Sequence, residues 1–223
     1  MTTLTRIRLQ RGSRDVLRTA SNPVELHRRV MTGFAHVGGQ AARASLGVLW
    51  RFELDAARRP TLTVQSEGEG DWSAIADVAE SIESKSIDAM LAALQPEQEL
   101  RFLLRANASR KIQSASTPGG ERRNGTRVPL RSPDSALDWL VRHGEAAGFV
   151  VVDGPGAPAV DIRSEAPSRG RRGASVVTVE ATRFEGLLAV RDPVALAAAV
   201  RAGVGPAKAY GCGLLSLAPG RTA

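Results

Sequence analysis

Cysteine occurs once in these 223 residues, at Cys212. That excludes an internal disulfide and a cysteine-based metal cluster. Aromatic side chains make up 4% of the chain, fewer than a binder that grips single strands on a row of stacking platforms carries. No apolar run approaches the roughly 18 residues of a membrane span. The opening residues, MTTLTRIRLQ, lack the apolar stretch of a signal peptide. A reducing cytoplasm is therefore the expected setting, with no membrane partner. Fixed-spacing catalytic motifs are missing as well: no HExxH for zinc, no GxSxG elbow and no carboxylate cluster suited to magnesium. No metal and no cofactor are expected, and metal-free acid–base chemistry is the simplest enzymatic option.

Lysine is scarce, confined to Lys85, Lys111 and Lys208, yet Lys plus Arg number 30 against 23 Asp plus Glu, a formal charge of +7. The cations are therefore almost all arginine. The planar guanidinium fork bonds two phosphate oxygens at once, and a basic excess favours a nucleic-acid partner over an acidic small molecule. With few aromatics, recognition of a folded RNA by shape fits better than base stacking along a single strand. Two basic segments stand out. Residues 114–127 carry Arg122, Arg123 and Arg127, and residues 164–173 carry Arg169, Arg171 and Arg172, both among Gly, Ser and Pro. They read either as solvated loops or as arginine fingers that order on a phosphate backbone.

A hydrophobic content of 43% over 223 residues supports one large core or two small ones. Leu4–Leu9 alternates as a half-buried strand does. Asn22-Pro23, Ser132-Pro133 and Asp192-Pro193 each pair a capping side chain with proline at the first helical position, predicting three helix starts. Gly203 fits a left-handed cap on the third helix. Residues 48–54, 61–65, 100–104, 148–153, 176–179, 187–190 and 214–217 read as strands, and a helix is expected within 75–94. The element order is strand-helix-strand-strand-helix-strand, twice. That is α+β, two tandem ferredoxin-like (RRM-like) βαββαβ domains, with boundaries at 1–95 and 99–223.

Among the three histidines, His27 lies one turn into the helix that Asn22 caps, beside the Leu26, Val30 and Phe34 face. That placement alone suits a histidine packed at a core edge. His36 and His143 fall near helix ends and are given no role. The stretch GVGPAKAYGCGLLSLAP, residues 203–219, follows a helix and precedes a strand. Gly203, Gly205, Gly211 and Gly213 allow sharp turns and close backbone approach, and Lys208 puts a cation in the turn. The lysine spacing rules out a Walker A loop, and glycines that follow a helix rule out a dinucleotide fingerprint.

These segments together resemble the CasE family, the CRISPR repeat-processing endoribonucleases of the type I-E Cascade complex. GVGPAKAYGCGLLSLAP is similar to that family's glycine-rich signature. RFLLRAN (101–107) resembles its RxRAN segment, and VPLRSPDSALDWL (128–140) its VPL-then-helix segment. FEGLLAVRDP (184–193) resembles its FxGxLxVxD run, and SRDVLRTASNPVELHRRVMTGF (13–34) the helix bearing its histidine. The resemblance implies two ferredoxin-like domains and metal-independent cleavage of CRISPR precursor RNA beside each repeat hairpin. It further implies 2′,3′-cyclic phosphate and 5′-OH products, and retention on the guide RNA hairpin among the other Cascade subunits. It makes His27 the catalytic residue. Arg105, Arg122, Arg123, Arg169, Arg171, Arg172 and Lys208 are the candidate RNA contacts. Family members usually carry a tyrosine three residues before the histidine, where this chain has Val24. An inactive hairpin-binding scaffold is the alternative that this departure favours.

Overall fold

The computed structural model describes residues 1–35, 42–55, 57–112 and 126–220. The first sheet is built from β1 (Thr2–Leu9), β2 (Leu49–Leu54), β3 (Pro60–Glu67) and β4 (Ala79–Ser86). Its strands lie in the order β2-β3-β1-β4, all antiparallel. Between β1 and β2 run α1 (Arg14–Ala20), α2 (Pro23–Thr32) and α3 (Ala42–Ser45). Leu26, Val30 and Phe34 from this region bury against Ile7, Leu62 and Val64 of the sheet. Asn22 caps α2 by accepting from the Val24 and Glu25 amides, with Pro23 at the first helical position.

The segment 75–94 departs from the expected helix. It holds the end of a short 3₁₀ turn (Ser73–Val78), then strand β4, then α4 (Asp88–Ala92). The β4 sequence AESIESKS has helix-forming composition, but seven of its residues pair with β1 from Thr3 to Leu9, and tertiary pairing overrides local propensity.

The second sheet repeats the plan. Its strands β5 (Glu99–Ala106), β8 (Phe149–Val151), β12 (Thr182–Val190) and β13 (Leu215–Pro219) lie in the order β13-β5-β12-β8. In each sheet the chain's first and third strands are central, flanked by the fourth and the second. That is the ferredoxin-like order, present twice. α5 (Pro133–Ala146) and α6 (Pro193–Ala202) start at Ser132 and Asp192, whose side chains accept from helical amides as expected. Gly203 ends α6 at φ 77 and ψ 154, so it is an extended positive-φ stop and not the left-handed cap expected.

Three insertions decorate this unit. A hairpin of β6 (Ser109–Ile112) and β7 (Thr126–Pro129) follows β5. β9 (Val160–Ser164) extends the edge beside β12. A second hairpin pairs β10 (Ser168–Arg172) with β11 (Ser175–Val179). The segment 164–173, open between loop and finger in the sequence, is thus largely a paired strand.

The halves interlock through polar groups. Gln65 Nε2 donates to the Val200 carbonyl at 2.8 Å. Arg51, 4% exposed, donates to Leu214 O and Ser216 Oγ and pairs with Glu53, which also holds Arg183 at 3.0 Å. No helix of the described residues is long and apolar enough to cross a membrane.

Candidate functional site

His27 sits on α2 just outside its buried stripe, half-buried, and its Nδ1 is sealed from solvent without a hydrogen-bond partner. Burial first, then the charges of Arg43 and Arg172, hold its pKa below the usual imidazole value. At neutral pH the ring is therefore uncharged and able to accept a proton. Arg43, on the four-residue α3, was invisible to sequence reading; no motif marks it.

The glycine-rich stretch comes to this imidazole. Its 3₁₀ turn, Lys208–Tyr210, packs on α2 and β2, and the Tyr210 ring meets the His27 ring edge-on with centroids 6.3 Å apart. Lys208 Nζ donates to the Ala202 carbonyl at 2.7 Å. Burial and then Arg43 lower the Lys208 pKa. Gly203, Gly205, Gly211 and Gly213 have φ of 77, 79, 77 and 92. At Gly211 the reason is doubled: a Cβ there would lie 2.5 Å from the buried Trp50 ring. The loop is thus pressed onto the first sheet, a close approach that the glycines permit.

Arg105 belongs to the same construction. Its side chain is 15% exposed, bonds Glu165 at 2.7 Å and donates to the Tyr210 and Gly211 carbonyls. Its donors hold the loop from inside, clamping the turn that carries Tyr210.

The β10–β11 hairpin closes the other side. Gly170 is buried against α2, where a Cβ would fall 2.3 Å from Asn22 Oδ1 and 2.8 Å from Val24 Cγ2. Strand alternation puts Arg172 on the same face as Gly170, which agrees with its effect on His27. Arg169 and Arg171 take the opposite face, and both are exposed. Val24 is 5% exposed and lies under this hairpin. Arg122, Arg123 and His36 lie outside the described residues. His143 stacks on Trp139 at 3.9 Å and is bound to that residue's carbonyl, far from His27 in the sheet order.

The structure therefore gathers His27, Arg172, Lys208 and the four glycines, adds Arg43 and Tyr210, and leaves Arg169 and Arg171 on an outer basic face. Among the described residues no three His, Cys, Asp or Glu side chains converge to hold a metal ion. A cleft of about 680 Å³ between the sheets is mixed in charge, with Arg6, Arg8, Arg51 and Lys85 facing Glu53, Asp55 and Glu83. Beside His27, by contrast, Arg43 and Arg172 bring positive charge. There, a neutral imidazole can move a proton while cations steady an anionic group.

The sequence profile of a family described as "CRISPR associated protein" matches residues 3–219. The CRISPR-associated endoribonuclease Cse3 of Thermus thermophilus is 34% identical over 97% of this chain and 99% of its own length. The CRISPR system Cascade subunit CasE of Escherichia coli K12 is 36% identical over 64% of this chain and 67% of its own. A structure of Cse3 bound to a 19-nucleotide RNA superposes with a TM-score of 0.78 at 34% identity, covering 98% of both chains. Cas6e from E. coli superposes at 0.67 and 26% identity, over 98% of this chain and 100% of that one.

Proposed function

We propose, because this chain belongs to the CRISPR-associated protein family that includes Cse3 and CasE, that it is an endoribonuclease cutting CRISPR precursor RNA beside the repeat hairpin. The observation that carries this is the setting of His27: an imidazole held neutral, flanked by Arg43 and Arg172 and faced by Tyr210. In the reaction the ribose 2′-oxygen attacks its own phosphorus and the bond to the 5′-oxygen breaks. The products are a 2′,3′-cyclic phosphate and a 5′-OH. The 2′ proton leaves to a base and the 5′-oxygen gains one from an acid. His27 fills one of these roles without a metal, while Arg172, Arg43 and Lys208 stabilise the doubly charged phosphorane. Domains 1–95 and 99–223 each supply part of this site. The exposed Arg169 and Arg171, with Arg122 and Arg123, grip the hairpin backbone. The product stays bound, and the protein works in the cytoplasm as a Cascade subunit.

Incubation of labelled repeat RNA with wild type and His27→Ala tests this. The variant keeps hairpin affinity and loses about 10²–10⁴-fold in rate. Wild-type activity persists in EDTA, and a single 2′-deoxy substitution at the cleaved nucleotide blocks it. Equal cutting by His27→Ala refutes the assignment of that residue, and cutting of the deoxy substrate refutes the mechanism. The second reading, a hairpin-binding scaffold, draws on Val24: it is buried under the β10–β11 hairpin, so α2 supplies no hydroxyl next to His27. Shifted but uncut RNA with wild-type protein selects the scaffold.

A further inference from the structure

Tyr210 borders a second feature besides His27: a cleft of about 440 Å³ that His27 does not line. Its polar walls are Asn107, Ser109, Arg127, Thr178 and Glu180 beside the Tyr210 phenol, and the rest is apolar, from Val177 and Val179 on β11 to Pro206 and Ala207 of the glycine-rich loop. Ser109 is 8% exposed, and its Oγ is buried without a hydrogen-bond partner. A buried hydroxyl left unpaired is costly, and such groups in native proteins ask for an explanation. The Asn107 amide also makes no bond to another described residue. The one carboxylate in the lining, Glu180, is already engaged by Arg131 at 3.1 Å.

We infer that this cleft holds one unpaired nucleotide of the RNA, next to the phosphodiester at which His27 acts. Apolar walls with a few converging polar groups are the make-up of a small-ligand site. Asn107 offers a donor and an acceptor and Ser109 either one, which suits the edge of a base. Tyr210 gives that base an aromatic face, and base recognition on single-stranded RNA combines these two contacts. Arg127 at the rim faces the phosphate. The cleft is too small for a duplex, and its shared wall with His27 ties it to the point where a hairpin stem ends. The inference rests on the RNA-processing assignment and adds a specificity pocket to it.

The test walks single abasic substitutions through a repeat-hairpin RNA. Affinity is read by fluorescence anisotropy and cutting by single-turnover kinetics. With wild type, one position within about two nucleotides of the cut loses roughly tenfold or more in affinity or rate, the range of a lost base contact. With Asn107→Ala or Ser109→Ala the same abasic site costs less than about twofold further, because the contact is already gone. The two variants are made separately, so that misfolding of one leaves the other to decide. The inference falls if no position shows this coupling in either readout. A protein that binds but never cuts overturns the nuclease assignment instead, and the anisotropy series still decides the cleft.

Discussion

Gly170→Ala presses on the join between the β10–β11 hairpin and α2, the helix that carries His27. The added Cβ would stand 2.3 Å from Asn22 Oδ1, against 3.4–4 Å for ordinary contact, so hairpin and helix must part by about 1 Å. Gly170 has no positive φ, so the strain is contact alone. Two consequences follow. Asn22 is pushed from its amides, and loss of an N-cap costs about 0.5–2 kcal/mol. In a chain of this length each kcal/mol lowers Tm by about 2–4 °C, which gives a fall of roughly 1–8 °C. The second consequence is kinetic, since Arg172 shares the face of Gly170 and moves away from His27 with it. A misplacement near 1 Å can cost on the order of 10²-fold in rate. Single-turnover cleavage and thermal unfolding of the same samples measure both. Gly173→Ala is the control. It lies at the turn of the same hairpin with φ 59 and nothing within 4 Å, so it strains the turn without pressing on α2. Cutting by Gly170→Ala within threefold of wild type, or an equal loss from Gly173→Ala, refutes the claim that hairpin docking sets the site.

The kcat/KM–pH profile should inflect below pH 6.5, because burial, Arg43 and Arg172 all lower the His27 pKa in the free protein; Arg172→Ala should move the inflection upward, and one at or above 6.5 in wild type contradicts the burial described. The same shift links to folding: between the unfolded value near 6.5 and the lower folded value, the unfolded chain binds more protons, so stability falls as pH drops through that window, and His27→Gln should flatten that slope in unfolding measured at several pH values. Arg105→Met should remove hydrogen bonds from a charged group worth roughly 1.5–3 kcal/mol and slow cutting, while leaving the salt slope of RNA binding unchanged; a changed slope makes Arg105 a phosphate contact. Arg169→Ala and Arg171→Ala should do the reverse, each lowering the slope of log affinity against log salt by about 1 with Tm unmoved.

Local signals carried the helix starts. Asn22, Ser132 and Asp192 each announce a helix by side-chain chemistry confined to four residues, and all three caps form. The buried face of α2 followed from 3.6-residue spacing. β4 was hidden because six of its eight residues are exposed, so AESIESKS shows no alternation of hydrophobic and polar residues. The β10 pairing was hidden because a strand of sequence SRGRR has no apolar face; it is held by β11 and by the Gly170 contact with α2. The place of Arg105, a candidate RNA contact, was not legible because composition cannot tell an arginine facing phosphate from one facing its own backbone. Its site is marked instead by the carbonyls of a turn about a hundred residues later in the chain. Tyr210 was missed as a neighbour of His27 for the same reason, because that encounter is made by the packing of the two units; Arg43 comes to His27 through the folding of the first unit, and no local motif marks it.

The residues most recognisable in the sequence are therefore those that assemble the site and seldom those that react. Trp50 on β2 accepts the loop only because position 211 lacks a Cβ. Arg105 on β5 holds the carbonyls on either side of that contact, and Lys208 ties the turn to the end of α6. Each of these bonds runs from the second sheet or its loops, and their combined effect is to lay Tyr210 and a positive charge over a helix of the first. His27 and Arg43 belong to the first unit; Arg172, Lys208 and Tyr210 belong to the second. If the units separate, the imidazole keeps Arg43 but loses Arg172, its aromatic neighbour Tyr210 and the second unit's share of its burial together. The chemistry proposed for His27 is consequently a property of the interface, which the Arg51–Glu53–Arg183 chain also crosses.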